Sequence, residues 1–391
     1  MSVSDFRKLL LGVSHGRPPP RPFGIHSADR LSHTFIVGMT GTGKSSLLLN
    51  MARQDAESGQ GFCLVDPHGD LALTLAQICG TDCLYWDVAD PLSPYGYNPL
   101  TQVSDEYRPL VASGLIDTLK KQWADAWGAR MEHLLRYSLL ALLERPYSTL
   151  LDIIPMFLDA GFRKDVIWSI TDPQVRAFWT VEFPAMNYRT AVDGVAPIAN
   201  KIGALVAHPV VRNALCTPLQ PLRFRQIMDE GKILIVNLAK GRLGADTANV
   251  LGGLIVASIA NAAYSRQTVA ESERRPFFLY VDEFHSLTTS AFSDMLSELR
   301  KYGLGLIATT QYSSQLDDGV REAIFGNVGT IMAFRVGATD ASIIAKQFGT
   351  EVPKVSDLVS LPNYEMYIKL MIDGVQSRPF SARTLDTPER K

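Results

Sequence analysis

The chain has 391 residues, 46% hydrophobic and 20% charged, with 29 Gly and 22 Pro, a composition that excludes collagen-like, coiled-coil and mainly disordered chains. Lys and Arg number 38 against 40 Asp and Glu, a formal charge of −2. A polyanion would therefore be held by a local patch or a ring of subunits, not by the field of the whole molecule. Four cysteines (Cys63, Cys79, Cys83, Cys216) are too few for a disulfide scaffold and read as reduced, buried thiols. Cys79 and Cys83 have no second pair to complete a zinc site.

Taken in chain order, Met1 to Lys8 lacks the apolar core of a signal peptide. Residues 1–24 contain Arg17-Pro-Pro-Pro-Arg-Pro22 and read as an extended, proline-rich arm. His33-Thr-Phe-Ile-Val-Gly38, Gly61-Phe-Cys-Leu-Val-Asp66 and Cys83-Leu-Tyr-Trp-Asp-Val88 read as strands, the first two followed by helical patterns. This alternation predicts an α/β fold with a mostly parallel sheet, its first part over 25–100. From 101 to 224 the strand signal stops. Leu110–Trp123, Ala129–Leu143, Leu150–Ala160 and Ala191–His208 have helical spacing, which predicts an all-α insertion. Strand-like runs return over 225–378, at Ile233–Leu238, Phe277–Asp282, Leu304–Thr310, Thr330–Arg335 and Tyr367–Ile372. Val250–Tyr264, the most apolar stretch, falls short of the ~20 residues that span a bilayer and reads as a buried helix. Residues 379–391 read as a loose polar tail. The expected location is the cytoplasm.

Gly38-Met-Thr40-Gly41-Thr42-Gly43-Lys44-Ser45 fits the phosphate loop G-x-x-x-x-G-K-[ST], with Ser46 next in the helix. Glycines let backbone N–H groups curl around a phosphate, and the helix N-terminus adds its dipole. Lys44 would reach the β/γ-phosphates and the Ser45 hydroxyl would ligate Mg²⁺. Phe277-Phe-Leu-Tyr-Val-Asp282-Glu283 is an apolar strand ending in two carboxylates: Asp282 suits the Mg²⁺ shell and Glu283 suits polarising water for attack on the γ-phosphate of ATP. Gln311, at the tip of the next strand-like run, reads either as a γ-phosphate or water ligand or as a strand-capping amide. Arg300 and Lys301 suit a helix C-terminus, and Arg300 equally suits an arginine finger acting on a neighbouring subunit's ATP. Lys240 and Arg242 lie in a basic turn that reads as a DNA-contacting pore loop or as a solvated loop; Arg335 reads as a nucleotide sensor or a carboxylate partner. His68 has no partner at metal-ligand spacing.

Together, Gly38–Ser45, Asp66-Pro-His-Gly-Asp-Leu71, Asn98-Pro-Leu100, Trp127-Gly-Ala-Arg130, Val281-Asp-Glu-Phe284, Arg300-Lys-Tyr-Gly303 and Thr310-Gln311 resemble the HerA–FtsK superfamily of ring ATPases. The likeness is closest to TraG/TraD-type coupling proteins of conjugation and type IV secretion and to their HerA-like relatives. It implies a RecA-like core that assembles as a homo-hexamer around single- or double-stranded DNA and translocates it with ATP and Mg²⁺. The helical insertion would recognise a relaxase or another DNA-processing protein. The resemblance maps Lys44, Ser45, Asp282, Glu283 and Gln311 onto the hydrolytic set and Arg300 onto a finger acting in trans. The chain departs from typical coupling proteins in having no transmembrane segment and from HerA in having no N-terminal β-barrel; docking at the inner membrane would fall to a membrane-protein partner.

The leading expectation is thus an ATP-driven DNA translocase of the coupling-protein type. Two alternatives stand beside it. One is a soluble HerA-like motor working with a nuclease or effector in DNA processing or phage defence; the other is a nucleotide-dependent platform that recruits a relaxase or secreted effector.

Overall fold

The apolar runs become strands of one eleven-stranded sheet in a computed structural model that describes residues 8–15, 19–186, 188–349 and 351–386. In chain order the strands are β1 (Leu9–Ser14), β2 (Arg21–Ile25), β3 (Thr34–Val37), β4 (Phe62–Asp66), β5 (Cys83–Asp87) and β6 (Ile233–Asn237). They continue with β7 (Phe277–Val281), β8 (Leu304–Thr310), β9 (Thr330–Ala333), β10 (Glu365–Lys369) and β11 (Phe380–Thr384). Their spatial order is β2-β1-β11-β10-β9-β3-β8-β7-β4-β6-β5. The run from β9 to β6 is parallel, whereas β10, β11, β1 and β2 are added antiparallel at one edge. Every residue of β3, β4, β6, β7 and β8 is buried, as expected for parallel strands covered on both faces. The expected α/β class with a mostly parallel sheet is observed.

Two expectations at the chain ends are corrected. The proline-rich arm is not a free extension: within the described residues it supplies β1 and β2, and Leu9 and Leu11 are buried. Pro22 is tolerated because β2 is the outermost strand, where a missing N–H breaks no ladder. Residues 16–18, which include Arg17 and Pro18, lie outside the described residues. The polar tail likewise contributes β11, inserted between β1 and β10 with Gly12 opposite Thr384 and Met366 opposite Ala382. Of the thiols, Cys63 and Cys216 are buried, but Cys79 and Cys83 are half-buried, because the helix Asp70–Cys79 ends at the turn that leads into β5.

The chain divides into two compact units. One gathers the chain up to Tyr85, Arg225–Ala239 and the chain from Ala262 onward; it holds the phosphate loop and both carboxylates. The other, Trp86–Phe224 with Lys240–Asn261, is mostly helical, with Arg108–Gln122, Ala129–Glu144 and Tyr188–Ala207 as its long helices, but it is not all-α: Tyr95–Gly96 pairs in parallel with Gln220–Pro221. Its core includes Leu134, Leu139, Leu142, Phe178 and Trp179. Asn98 donates to Ser148 O and Trp127 Nε1 donates to Glu132, so both motifs brace this unit. Residues 240–261 join it through the Tyr97–Ser258 hydroxyl contact at 2.5 Å and Gln122 to Asp246 at 2.8 Å. The apolar stretch read as too short belongs to a longer helix. Ala245–Thr268 is long and apolar enough to cross a membrane by length and composition, and 67% of its apolar window is buried.

Candidate active site

Register builds the site. Strand β8 lies between β3 and β7, with Val37 opposite Thr310 and Val281 opposite Ala308. The residues that follow these three strands therefore emerge side by side at the C-terminal ends of parallel strands, where open α/β sheets bind ligands. They are Gly38, Gln311 and Asp282; Gln311 and Asp282, with the phosphate-loop residues from Thr40 onward and the end of β4, line a cavity of about 440 Å³, whereas Gly38 and Thr42 lie behind it. Its lining includes Lys44, Ser45, Asp66, Asp282, Glu283 and Gln311.

The loop before the helix Lys44–Glu57 turns through Gly41 (φ 77°) and Gly43 (φ 121°), conformations that L side chains rarely adopt. Thr42 closes it locally, its hydroxyl donating to Met39 O at 2.7 Å. The Lys44 ammonium donates to Gly38 O at 2.5 Å and Met39 O at 3.1 Å. Burial pulls the Lys44 pKa down, and Asp282 and Glu283 oppose that pull. A cation held on two neutral carbonyls and facing two carboxylates fits a site built for an anion accompanied by a divalent cation. Ser45 is exposed at the cavity, as a Mg²⁺-ligating hydroxyl requires.

Asp282 is buried. Its Oδ1 accepts the Thr309 hydroxyl and the Glu283 N–H, the latter at 3.1 Å. Burial pushes its pKa up, adjacent Glu283 adds to this, and Thr309 and Lys44 counter it. Glu283 itself sits in the left-handed region (φ 49°), a strained setting for a non-glycine residue of the kind found where a side chain must be aimed. Gln311 joins the parts: its Nε2 donates to Glu283 Oε1 at 2.7 Å and its Oε1 accepts the Thr40 hydroxyl at 2.9 Å. The structure thus brings Thr40, Gly41, Gly43, Lys44, Ser45, Ser46, Asp282, Glu283 and Gln311 to one cavity.

Other candidates lie elsewhere. Arg300 is exposed at the end of the helix Ser290–Leu299 and lines a different cavity of about 420 Å³ with His33. Arg335 donates to Leu361 O and Asn363 Oδ1 rather than to a carboxylate. Lys240 and Arg242 form a short helix, Lys240–Leu243, in place of an open turn, and Arg242 pairs with Asp87 at 2.9 Å.

Sequence reasoning missed two walls of the cavity. One is the turn after β4. Asp66 accepts from His68 N and Ala72 N, both at 2.9 Å, and His68, Asp70 and Thr74 line the site. Gly69 (φ 96°) is required there, since a Cβ would lie 2.3 Å from Asn237 Oδ1. The signal is present, because this run too ends a parallel strand and Asp66–Leu71 is one of the motifs that carry the resemblance, but spacing alone gives its residues no role at the site. The other is Tyr364 (φ 67°), whose N–H donates to Thr42 O at 2.8 Å; no motif marks it.

Residues 276–360 match the family model described as the TraM recognition site of TraD and TraG. No curated protein matches the chain. Among solved structures, the plasmid coupling protein TrwB in complex with ADP and Mg²⁺ aligns at a TM-score of 0.68 and 17% identity, covering 94% of this chain and 89% of that one. TrwB with a non-hydrolysable ATP analogue aligns at 0.67 and 18%, covering 94% and 88%. VirB4 of Thermoanaerobacter pseudethanolicus aligns at 0.66 and 14%, covering 99% of each chain. At such identities the likeness is one of fold. The resemblance read from the motifs is borne out: residues 276–360 match the model of the TraM recognition site of TraD and TraG, and the fold is that of the conjugative coupling protein TrwB.

Proposed function

We propose that the chain is an ATP-driven DNA translocase of the conjugative coupling type, working as a homo-hexamer. The observation that carries this reading is the convergence of three strand tips, which gives the phosphate loop, the Asp282–Glu283 pair and Gln311 one shared cavity. TrwB, which shares the fold, is known with ADP and Mg²⁺ and with ATP and GTP analogues, so ATP and Mg²⁺ are the ligands to expect here.

In this reading Gly38, Thr40, Gly41, Thr42, Gly43 and Ser46 belong to the phosphate cradle, and Lys44 exchanges its two loop carbonyls for phosphate oxygens. Ser45 and Asp282 would hold Mg²⁺, and bound there it would supply neutralisation of the charge on the phosphoryl group. Glu283 takes a proton from water, and Gln311 orients that water and the Glu283 carboxylate. Arg300 reaches the cavity of a neighbouring subunit. Lys240 and Arg242 contact the DNA backbone, which carries the same charge at every nucleotide and so needs no sequence readout. The TraM-type segment and the helical unit recruit the DNA-processing protein, and a membrane-protein partner docks the motor at the inner membrane from the cytoplasm.

The test is ATP hydrolysis by the purified chain alone, with single-stranded DNA and with duplex DNA, at low salt, with Glu283→Gln as the blank. Stimulation of several-fold by either DNA supports the motor, and the preferred form identifies the track. ATP binding with turnover that no DNA raises, but that a protein partner does, replaces the motor with a recruitment platform.

A further inference from the structure

Glu283 is held from two sides. Gln311 occupies one carboxylate oxygen; on the other side, His285 Nδ1 lies 3.4 Å from Oε2. The His285 ring is largely buried, with its side chain 21% exposed, on the short helix Phe284–Leu287 that follows Glu283 directly. The same Nδ1 is 3.1 Å from the Thr310 hydroxyl oxygen.

The Nδ1–H tautomer fits these partners. A threonine hydroxyl has one proton, and that of Thr310 goes to Tyr312 O at 3.2 Å. Its oxygen is then an acceptor for a hydrogen on His285 Nδ1. The carboxylate requires the same, because an imidazole lone pair facing Oε2 at this distance would repel it. His285 Nδ1 thus lies 3.1 Å from the Thr310 hydroxyl oxygen and 3.4 Å from Glu283 Oε2, at the end of β8 beside Gln311. The backbone cooperates: Ser286 N and Oγ each donate to Glu283 O at 2.9 Å, which locks the left-handed turn that sets His285 back toward the carboxylate.

We propose that His285 is a positioning residue for the Glu283 carboxylate, its Nδ1–H and the Gln311 amide together fixing the rotamer from which Glu283 acts on water. The proposal rests on the reading of Glu283 as the group that takes the proton. His285 touches neither nucleotide nor water in this scheme; it acts through Glu283. A general base displaced by a fraction of an ångström loses rate while the phosphate loop, built from other residues, keeps its grip on ATP.

The experiment compares His285→Leu and His285→Asn with wild type and Glu283→Gln. It measures kcat and KM for ATP with single-stranded and duplex DNA present, and affinity by titration with a fluorescent ATP analogue. An Asn amide nitrogen stands where Nδ1 stands, so it keeps the donor that Leu removes. The expected result is a kcat roughly 10-fold lower in His285→Leu, with KM and affinity within about twofold of wild type, and recovery of most of that loss in His285→Asn. Wild-type kcat in His285→Leu, or equal loss in both variants at wild-type melting temperature, overturns the positioning role while an inactive Glu283→Gln leaves the base assignment standing. Normal turnover by Glu283→Gln overturns the base assignment and this proposal with it.

Discussion

Gln311 donates its amide N–H to the Glu283 carboxylate at 2.7 Å while its carbonyl accepts from Thr40 at 2.9 Å, so one side chain ties the phosphate loop to the end of the carboxylate strand. This is possible because β8 runs between β3 and β7. Gln311→Ala keeps every group of the phosphate loop but releases both Thr40 and Glu283. ATP affinity should stay within a few-fold of wild type and kcat should fall about 100- to 1000-fold, the range for losing one preorganised polar group around a reacting centre. Steady-state turnover beside equilibrium nucleotide binding checks it. A proportional loss of both would mean that Gln311 supports the loop and not the chemistry.

Behind the site, the phosphate-loop helix is anchored to the sheet by a buried ion pair. Arg30 Nη1 and Nη2 donate to the two Asp55 oxygens at 2.7 and 2.6 Å; Tyr280 OH donates to Asp55 at 2.5 Å, and the guanidinium lies 3.6 Å over the Phe278 ring. Both charged side chains are 3% exposed. Asp55→Ala strands the guanidinium without its counter-charge and should cost about 3–5 kcal/mol. The double variant Arg30→Met/Asp55→Leu removes both charges and should cost much less than that single change. Urea midpoints for the two variants decide this, and a double variant as unstable as Asp55→Ala would refute the account.

Where side-chain chemistry repeats a local pattern, the sequence is legible. Gly38–Ser45 and Asp282–Glu283 announce themselves because phosphate and Mg²⁺ demand particular residues at fixed local spacing, and the buried strands announce themselves as apolar runs. What is not legible depends on distant partners. Leu9–Ser14 is too short and too interrupted by Gly12 to stand out, and it becomes a strand because Phe380–Thr384, more than 360 residues later, pairs with it. Pro22 argues for a polyproline arm until its place at the sheet edge is known. Tyr364 reaches the cavity through its backbone bond to Thr42 and its packing against Gly43, contacts made across more than 300 residues of sequence. Arg242 looks like a free cation in sequence because Asp87, its partner, lies 155 residues away.

His33 gives acid stability a specific source. It is buried with φ 63°; its Nδ1 accepts from Leu306 N at 3.0 Å, which leaves the proton on Nε2 to reach Leu296 O at 3.0 Å. Burial, with help from Arg300, pulls its pKa from 6.5 down to about 4. The native ring therefore stays neutral where the unfolded ring has taken a proton. The unfolded state binds more protons between these values, so this residue makes stability fall as pH drops from about 6.5 to 4, by about 3 kcal/mol when complete. His33→Asn tolerates the left-handed backbone and cannot titrate. Its urea midpoint should lose less than that of wild type between pH 7 and pH 4.5; parallel curves would remove His33 as the cause.

Arg300 separates action within a subunit from action between subunits. It is exposed, and it lines a cavity distinct from the one that its own chain's Lys44, Asp282 and Glu283 share. If it completes a neighbour's site, Arg300→Ala and Lys44→Ala are defects in opposite halves of one interface. Each variant alone should be inactive. In a mixed ring an Arg300→Ala subunit brings an intact phosphate loop and a Lys44→Ala neighbour brings an intact arginine, so about a quarter of the interfaces in a random 1:1 ring regain both. Turnover measured across mixing ratios should therefore rise from zero at either end to a maximum near equal proportions. The curve must come from subunits mixed before assembly, because pre-formed rings cannot exchange halves. A flat line at zero under those conditions rules out a finger donated in trans, whatever the single variants do.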